Sequence, residues 1–219
     1  WKRDITTWHS HLWPLKSGPT QLARRLVTAG GRVYATLGLK APLSVLDGAT
    51  GETIRELKDS QATEEILVDR GTVFALVNDG PAALDAFNPQ LNVGDQARVG
   101  REFGWNRLPR RIVAWDAVSG RKRWQITGRV APLSLAVGPK RLYYHDGDQI
   151  VAVSRDDGQV AWKAAGPVRK KFTVNFGPRV VLYRDVVLFA GGDRTMRAID
   201  SASGKLLWKI WLRLLLPRP

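Results

Sequence analysis

Four times along the chain, an apolar-rich run enters a polar turn and a second run leaves it. The segments are LSVLDGATGETIREL (43–57), IVAWDAVSGRKRWQI (112–126), IVAVSRDDGQVAWKA (150–164) and MRAIDSASGKLLWKI (196–210). Apolar positions at period two read as a strand with a buried face. Aligned on the turn glycine, Asp47, Asp116 and Asp200 lie four residues before Gly51, Gly120 and Gly204, while Ser154 holds that place before Gly158. An Asp or Ser oxygen can bond the backbone amides that follow it and start a turn. The glycine supplies a positive φ that other residues resist. Trp124, Trp162 and Trp208 each lie four residues after the glycine, and Arg55 stands there in the first copy. Each copy predicts a β-hairpin.

A second pair of short apolar runs precedes each hairpin: RLVTAGGRVYATL, EILVDRGTVFALV, LSLAVGPKRLYYH and VVLYRDVVLFAGG. Two hairpins give four strands per unit. The turn glycines at 51, 120, 158 and 204 leave two intervals that suit a propeller blade of roughly 40–50 residues, and a longer first interval that holds an insertion. The expected fold is all-β, a β-propeller of four-stranded antiparallel blades. About four blades are present, in an incomplete ring. The blades span 22–57, 64–126 with an inserted loop at 78–110, 131–164 and 172–210, and a tail follows at 211–219. Strands of the first blade are expected near 22–28, 32–37, 43–47 and 53–57. Trp1-Lys2 repeats the WK of Trp162-Lys163 and Trp208-Lys209, so 1–21 reads as the end of a preceding blade and a connector. A four-stranded blade cannot bury both faces alone. The recurring tryptophans are therefore expected to be buried wedges between blades, each covering on the order of 150–250 Å².

The pattern A-[IVW]-D-x-x-[TS]-G-x-x-x-W resembles the repeat of pyrroloquinoline-quinone (PQQ)-type propellers. Quinoprotein alcohol dehydrogenases carry it, as does the propeller lipoprotein of the bacterial outer-membrane assembly machine. The resemblance covers 22–210 with one interruption. It implies a ring that closes with seven or eight blades, an extracytoplasmic and often periplasmic location, and, in the dehydrogenases, a quinone with calcium on the propeller axis. The dehydrogenase site commonly includes an acidic cluster and a Cys pair; this chain has no Cys, and no such acidic cluster stands out. The resemblance is specific for fold and far less so for activity, because function lives in sites.

Charge changes the picture in one region. The 219 residues carry a net charge of +14, which favours anionic partners. From Ala97 to Arg129 there are nine basic and two acidic side chains, with Trp105 among them. Arg107, Arg110 and Arg111 form the candidate anion site, against the alternative of a solvated loop and strand edge. The 78–110 insertion is expected to be a surface loop more mobile than the blades. His9 and His11 lack a third metal ligand, and His145-Asp-Gly-Asp148 reads as a hairpin turn rather than a calcium loop. No catalytic residue, metal ligand or cofactor-binding residue is assigned.

The leading reading is a non-catalytic binding or scaffolding surface with a protein partner or flanking blades. The alternatives are a piece of a quinoprotein-like oxidoreductase, in which PQQ with calcium would enter, and a polyanion-binding module using 97–129. In an open arc, blades one and four each expose a face meant for another blade.

Overall fold

The computed structural model describes residues 1–3, 24–38, 40–80, 105, 107–168 and 177–211. The connector with His9 and His11, residues 81–104 and 106 of the insertion, and the tail from 212 lie outside the described residues.

Among the described residues, sixteen strands form four antiparallel sheets, each in simple sequence order. Blade 1 is β1 (Leu26–Ala29), β2 (Arg32–Thr36), β3 (Leu43–Asp47) and β4 (Thr53–Glu56). Blade 2 is β5 (Thr63–Asp69), β6 (Thr72–Val77), β7 (Arg110–Asp116) and β8 (Lys122–Gly128). Blade 3 is β9 (Ala136–Val137), β10 (Arg141–His145), β11 (Gln149–Ser154) and β12 (Val160–Ala165). Blade 4 is β13 (Arg179–Tyr183), β14 (Val186–Ala190), β15 (Thr195–Asp200) and β16 (Leu206–Trp211). First strands neighbour one another, β1 against β5, β5 against β9 and β9 against β13, so they line the axis. The fourth strands are outermost. No helix among the described residues is long and apolar enough to cross a membrane.

Register shows why the blades stack. Partners across a sheet share a face, and one row recurs in all four blades. It reads Val27–Tyr34–Val45–Arg55, then Leu67–Phe74–Ala114–Trp124, Ala136–Tyr143–Ala152–Trp162 and Val181–Leu188–Ala198–Trp208. The first three rows each enter a core shared with the next blade. Tyr34 and Val45 pack with Val73 and Val113; Phe74 and Trp124 with Leu142 and Val151; Tyr143 and Trp162 with Val187 and Phe189. The fourth row joins no such core among the described residues.

Third and fourth strands slip register at one repeated place, at Val45/Leu46, Ala114/Trp115, Ala152/Val153 and Ala198/Ile199. A bulge there raises local twist beside the polar turn. Within the turn, Oδ1 of Asp47 accepts the amides of Ala49 and Thr50 at 2.9 Å, and Asp116 and Asp200 act alike. The amide bonds lead in holding the Asp47 and Asp116 carboxyls below the usual carboxylate range, with an Arg123 pair adding at Asp116, while at Asp200 the Ser203 hydroxyl bond leads and the Ser203 amide follows. The turn glycines have φ of 72–76°.

Candidate functional site

The fourth-strand side chain of one blade lies on the turn of the next. A Cβ on Gly158 would sit 2.9 Å from the Trp124 ring, and one on Gly204 would sit 2.8 Å from Trp162. Glycine is thus required twice, for its φ and for this approach. Trp124 Nε1 donates to the Arg155 carbonyl at 2.7 Å, and Trp162 Nε1 to the Ser201 carbonyl at 3.1 Å. Trp1 makes the same pair of contacts with blade 1, lying on Gly51 and donating to the Gly48 carbonyl at 3.0 Å. The acceptor is in each case the residue three before the turn glycine.

Blades 1 and 2 solve the junction differently. The Arg55 stem lies on Gly120 and its guanidinium donates to the Ser119 carbonyl. The carbonyl that an indole would use, that of Ala117, accepts from Arg32 at 2.6 Å. Arg155 adds a second tie between blades 2 and 3, bonding the Asp69 carboxylate and carbonyl and the Gly138 carbonyl.

Trp208 departs from the expectation of burial. It remains 42% exposed, against 8% for Trp124. The reason is local: among the described residues no following blade offers it a glycine turn. Val181, Tyr183, Leu206, Leu207, Ile210 and Trp211 around it are also exposed.

At the axis, Arg24 bonds Glu65 and the Leu135 carbonyl, and Arg179 lies close enough to Arg24 and Glu65 for their charges to act on it. Glu65 is fully buried, bonded to Arg24 at 2.5 Å and accepting the Leu135 amide at 3.5 Å. Burial pushes its carboxyl up to about 7 against the pull of Arg24. A bulge between Thr63 and Glu65 turns Glu64 elsewhere, onto Arg110 and Asn78. Burial lowers Arg25 to about 10 and also lowers Arg179. The axial cluster has no signal in the linear repeat, because it appears only once the bulge and inter-blade register are known.

This donor set does not fit a calcium-bound quinone. The buried carboxylate is surrounded by arginines, which oppose a divalent cation, and no group of three His, Asp or Glu suited to a metal exists among the described residues.

The three arginines proposed from sequence do not form one cluster. Arg110 is buried against Glu64, with Nε to Oε2 at 2.6 Å. Arg111 pairs with Asp79 at 2.5 Å, which raises the guanidinium and lowers the carboxyl. Arg107 lies 5.6 Å from the centre of the Trp105 ring, and that ring rests on Gly147. The 145–148 segment is a hairpin turn: Asp146 Oδ1 accepts the amides of Asp148 and Gln149, while His145 is buried. Its Nδ1 accepts the Gly147 amide, so Nε2 carries the proton to the Gly166 carbonyl at 2.6 Å. Burial lowers the His145 pKa.

Residues 106–214 match the family model described as outer membrane protein assembly factor BamB. Among solved structures, BamB from Moraxella catarrhalis superposes with a TM-score of 0.59 at 15% identity, covering 84% of this chain and 47% of its own. A quinohemoprotein alcohol dehydrogenase from Pseudomonas putida gives 0.58 at 18%, covering 85% and 34%. The corresponding enzyme from Comamonas testosteroni gives 0.56 at 15%, covering 85% and 34%. The chain thus spans less than half the length of each. No curated protein sequence matches it. Its blades, its Asp-x-x-x-Gly-x-x-x-Trp turns and these likenesses agree: residues 106–214 belong to the PQQ-like β-propeller repeat family, and the chain as a whole has the fold of its propellers.

Proposed function

We propose that the chain is a propeller segment serving as a non-catalytic, protein-binding scaffold outside the cytoplasm. The observation that carries this is the fourth row, Val181–Leu188–Ala198–Trp208. Its three counterparts are each covered by a neighbouring blade, and this one exposes Val181 and Trp208. A contiguous apolar patch of more than a few hundred Å² marks an interaction surface. The location is supported by the family model, described as an outer membrane assembly factor.

The test is site-specific photocrosslinking in the producing cell. A photoreactive residue at Val181 or Tyr183 should yield protein adducts, and one at the exposed Glu52 of blade 1 should yield none. Purified chain given PQQ and calcium should not oxidise alcohols. Absence of adducts from both blade 4 positions, or quinone-dependent alcohol oxidation, would overturn the reading.

A further inference from the structure

Each blade ends in an outer strand whose far edge is unpaired within its own sheet. Natural sheets guard such edges with charge. β4 carries Arg55 and Glu56 and β8 carries Lys122 and Arg123, while β12 and β16 carry one lysine each, Lys163 and Lys209. β16 differs from β12 in what flanks that lysine: Leu, Ile and a second Trp where β12 has Val and alanines. β16 reads LLWKIW, and every one of its residues is exposed. Its single charge, Lys209, has its ammonium 4.9 Å from the centre of the Trp211 ring. Leu206, Trp208 and Ile210 pair with Ile199, Ala198 and Met196 of β15, while the bulge sets Leu207 apart.

We propose that β16 is a β-augmentation site for an acidic, alternating extended segment of a partner protein. This rests on the reading of blade 4 as a partner-binding surface and names the partner's chemistry. An added strand would satisfy the unpaired backbone groups of the edge, and its alternate side chains would meet two different surfaces. One is the apolar row ending in Trp208. The other is the Lys209–Trp211 pair, with Lys205 just before the strand. Neither lysine forms an ion pair among the described residues. From Lys205 to Trp211 the sequence holds Lys205 and Lys209 and no acidic residue. Charge complementarity therefore selects an acidic strand. It opposes a second copy, whose β16 would bring lysine against lysine.

The probe is a labelled peptide, Glu-Val-Glu-Val-Glu-Val-Glu, titrated into the full chain and read by anisotropy and by Trp fluorescence. Binding should weaken at least tenfold for the lysine-for-glutamate peptide. Lys205→Glu with Lys209→Glu should reverse that preference without changing the circular dichroism of the blades. Backbone N-methylation along one edge of the peptide should abolish binding, and along the other edge should leave it intact. Equal binding of acidic and basic peptides, or no binding of the acidic one, would overturn the proposal. So would sedimentation showing a dimer that Trp211→Ser dissolves, since β16 would then belong to a second copy. Blade 4 crosslinks that persist while the acidic peptide fails would keep the scaffold reading and reject only the acidic strand.

Discussion

Trp124 Nε1 donates to the Arg155 carbonyl at 2.7 Å while the same indole lies on Gly158, so one side chain grips both ends of the next blade's turn. The four equivalent carbonyls, of Gly48, Ala117, Arg155 and Ser201, each accept a side-chain donor from outside their own blade's turn. Ser201 accepts three, from Trp162, Arg141 and Tyr143. Blade coupling is therefore carried by a repeated backbone acceptor. Between blades 1 and 2 the donor to this acceptor is Arg32 in place of an indole.

Trp124→Ala removes an indole packed against Phe74 at 5.9 Å between ring centres together with its carbonyl bond. It should cost about 3–5 kcal/mol. Arg55→Ala removes a part-exposed stem and one bond and should cost about 1 kcal/mol. Urea unfolding of the two variants beside the parent checks the ranking. Equal losses would mean that Arg55 couples its blades as strongly as an indole does.

Glu65 sets a pH dependence of definite sign. Its folded carboxyl, at about 7, lies above the ordinary value of 4.5, so the folded state holds that proton more tightly. The stability it contributes is fully present below about pH 4.5 and is lost as pH rises through about 7. The loss reaches about 3 kcal/mol at most, from 1.36 kcal/mol per unit. His145 acts oppositely: its lowered pKa gives stability that is present above its ordinary 6.5 and lost as pH falls through the folded value. The clean readout is the difference between parent and Glu65→Gln in urea melts from pH 5 to 8. The parent's excess decline with rising pH should vanish in the variant. A difference that stays constant with pH would show that Glu65 does not titrate in this range.

Arg110→Ser and Arg107→Ser should separate cleanly. The first strips the partner from Glu64 at a buried pair and should cost about 3 kcal/mol or more. The second removes an exposed side chain resting on Trp105 and should cost less than about 1 kcal/mol. Thermal melts distinguish them. Similar midpoints would mean that the Arg110–Glu64 pair contributes nothing to folding.

Architecture was legible in the sequence because its determinants are local and repeated. An Asp that starts a turn, a glycine at positive φ and an alternating apolar run announce themselves within fifteen residues, as at Asp116, Gly120 and Trp124. The axial group was not legible. Arg24, Glu65 and Arg179 come from three blades, and the bulge before Glu65 decides which of two adjacent glutamates reaches the axis. The basic run misled for the same reason: the carboxylates that take Arg110 and Arg111, Glu64 and Asp79, lie more than thirty positions away. Trp208 shows the limit of a repeat itself. Its offset is that of Trp124, but burial depends on what the neighbouring blade presents.

The most direct test of turn docking compares two tryptophans with the same repeat offset. Trp162 has a glycine turn beneath it and Trp208 has none among the described residues. Trp162→Ala and Trp208→Ala, unfolded in urea at concentrations where the chain is monomeric, should differ sharply. The account predicts a loss of about 3 kcal/mol for Trp162→Ala and about 1 kcal/mol or less for Trp208→Ala. Equal losses would contradict it, because the indoles would then act within their own blades and not by gripping the next.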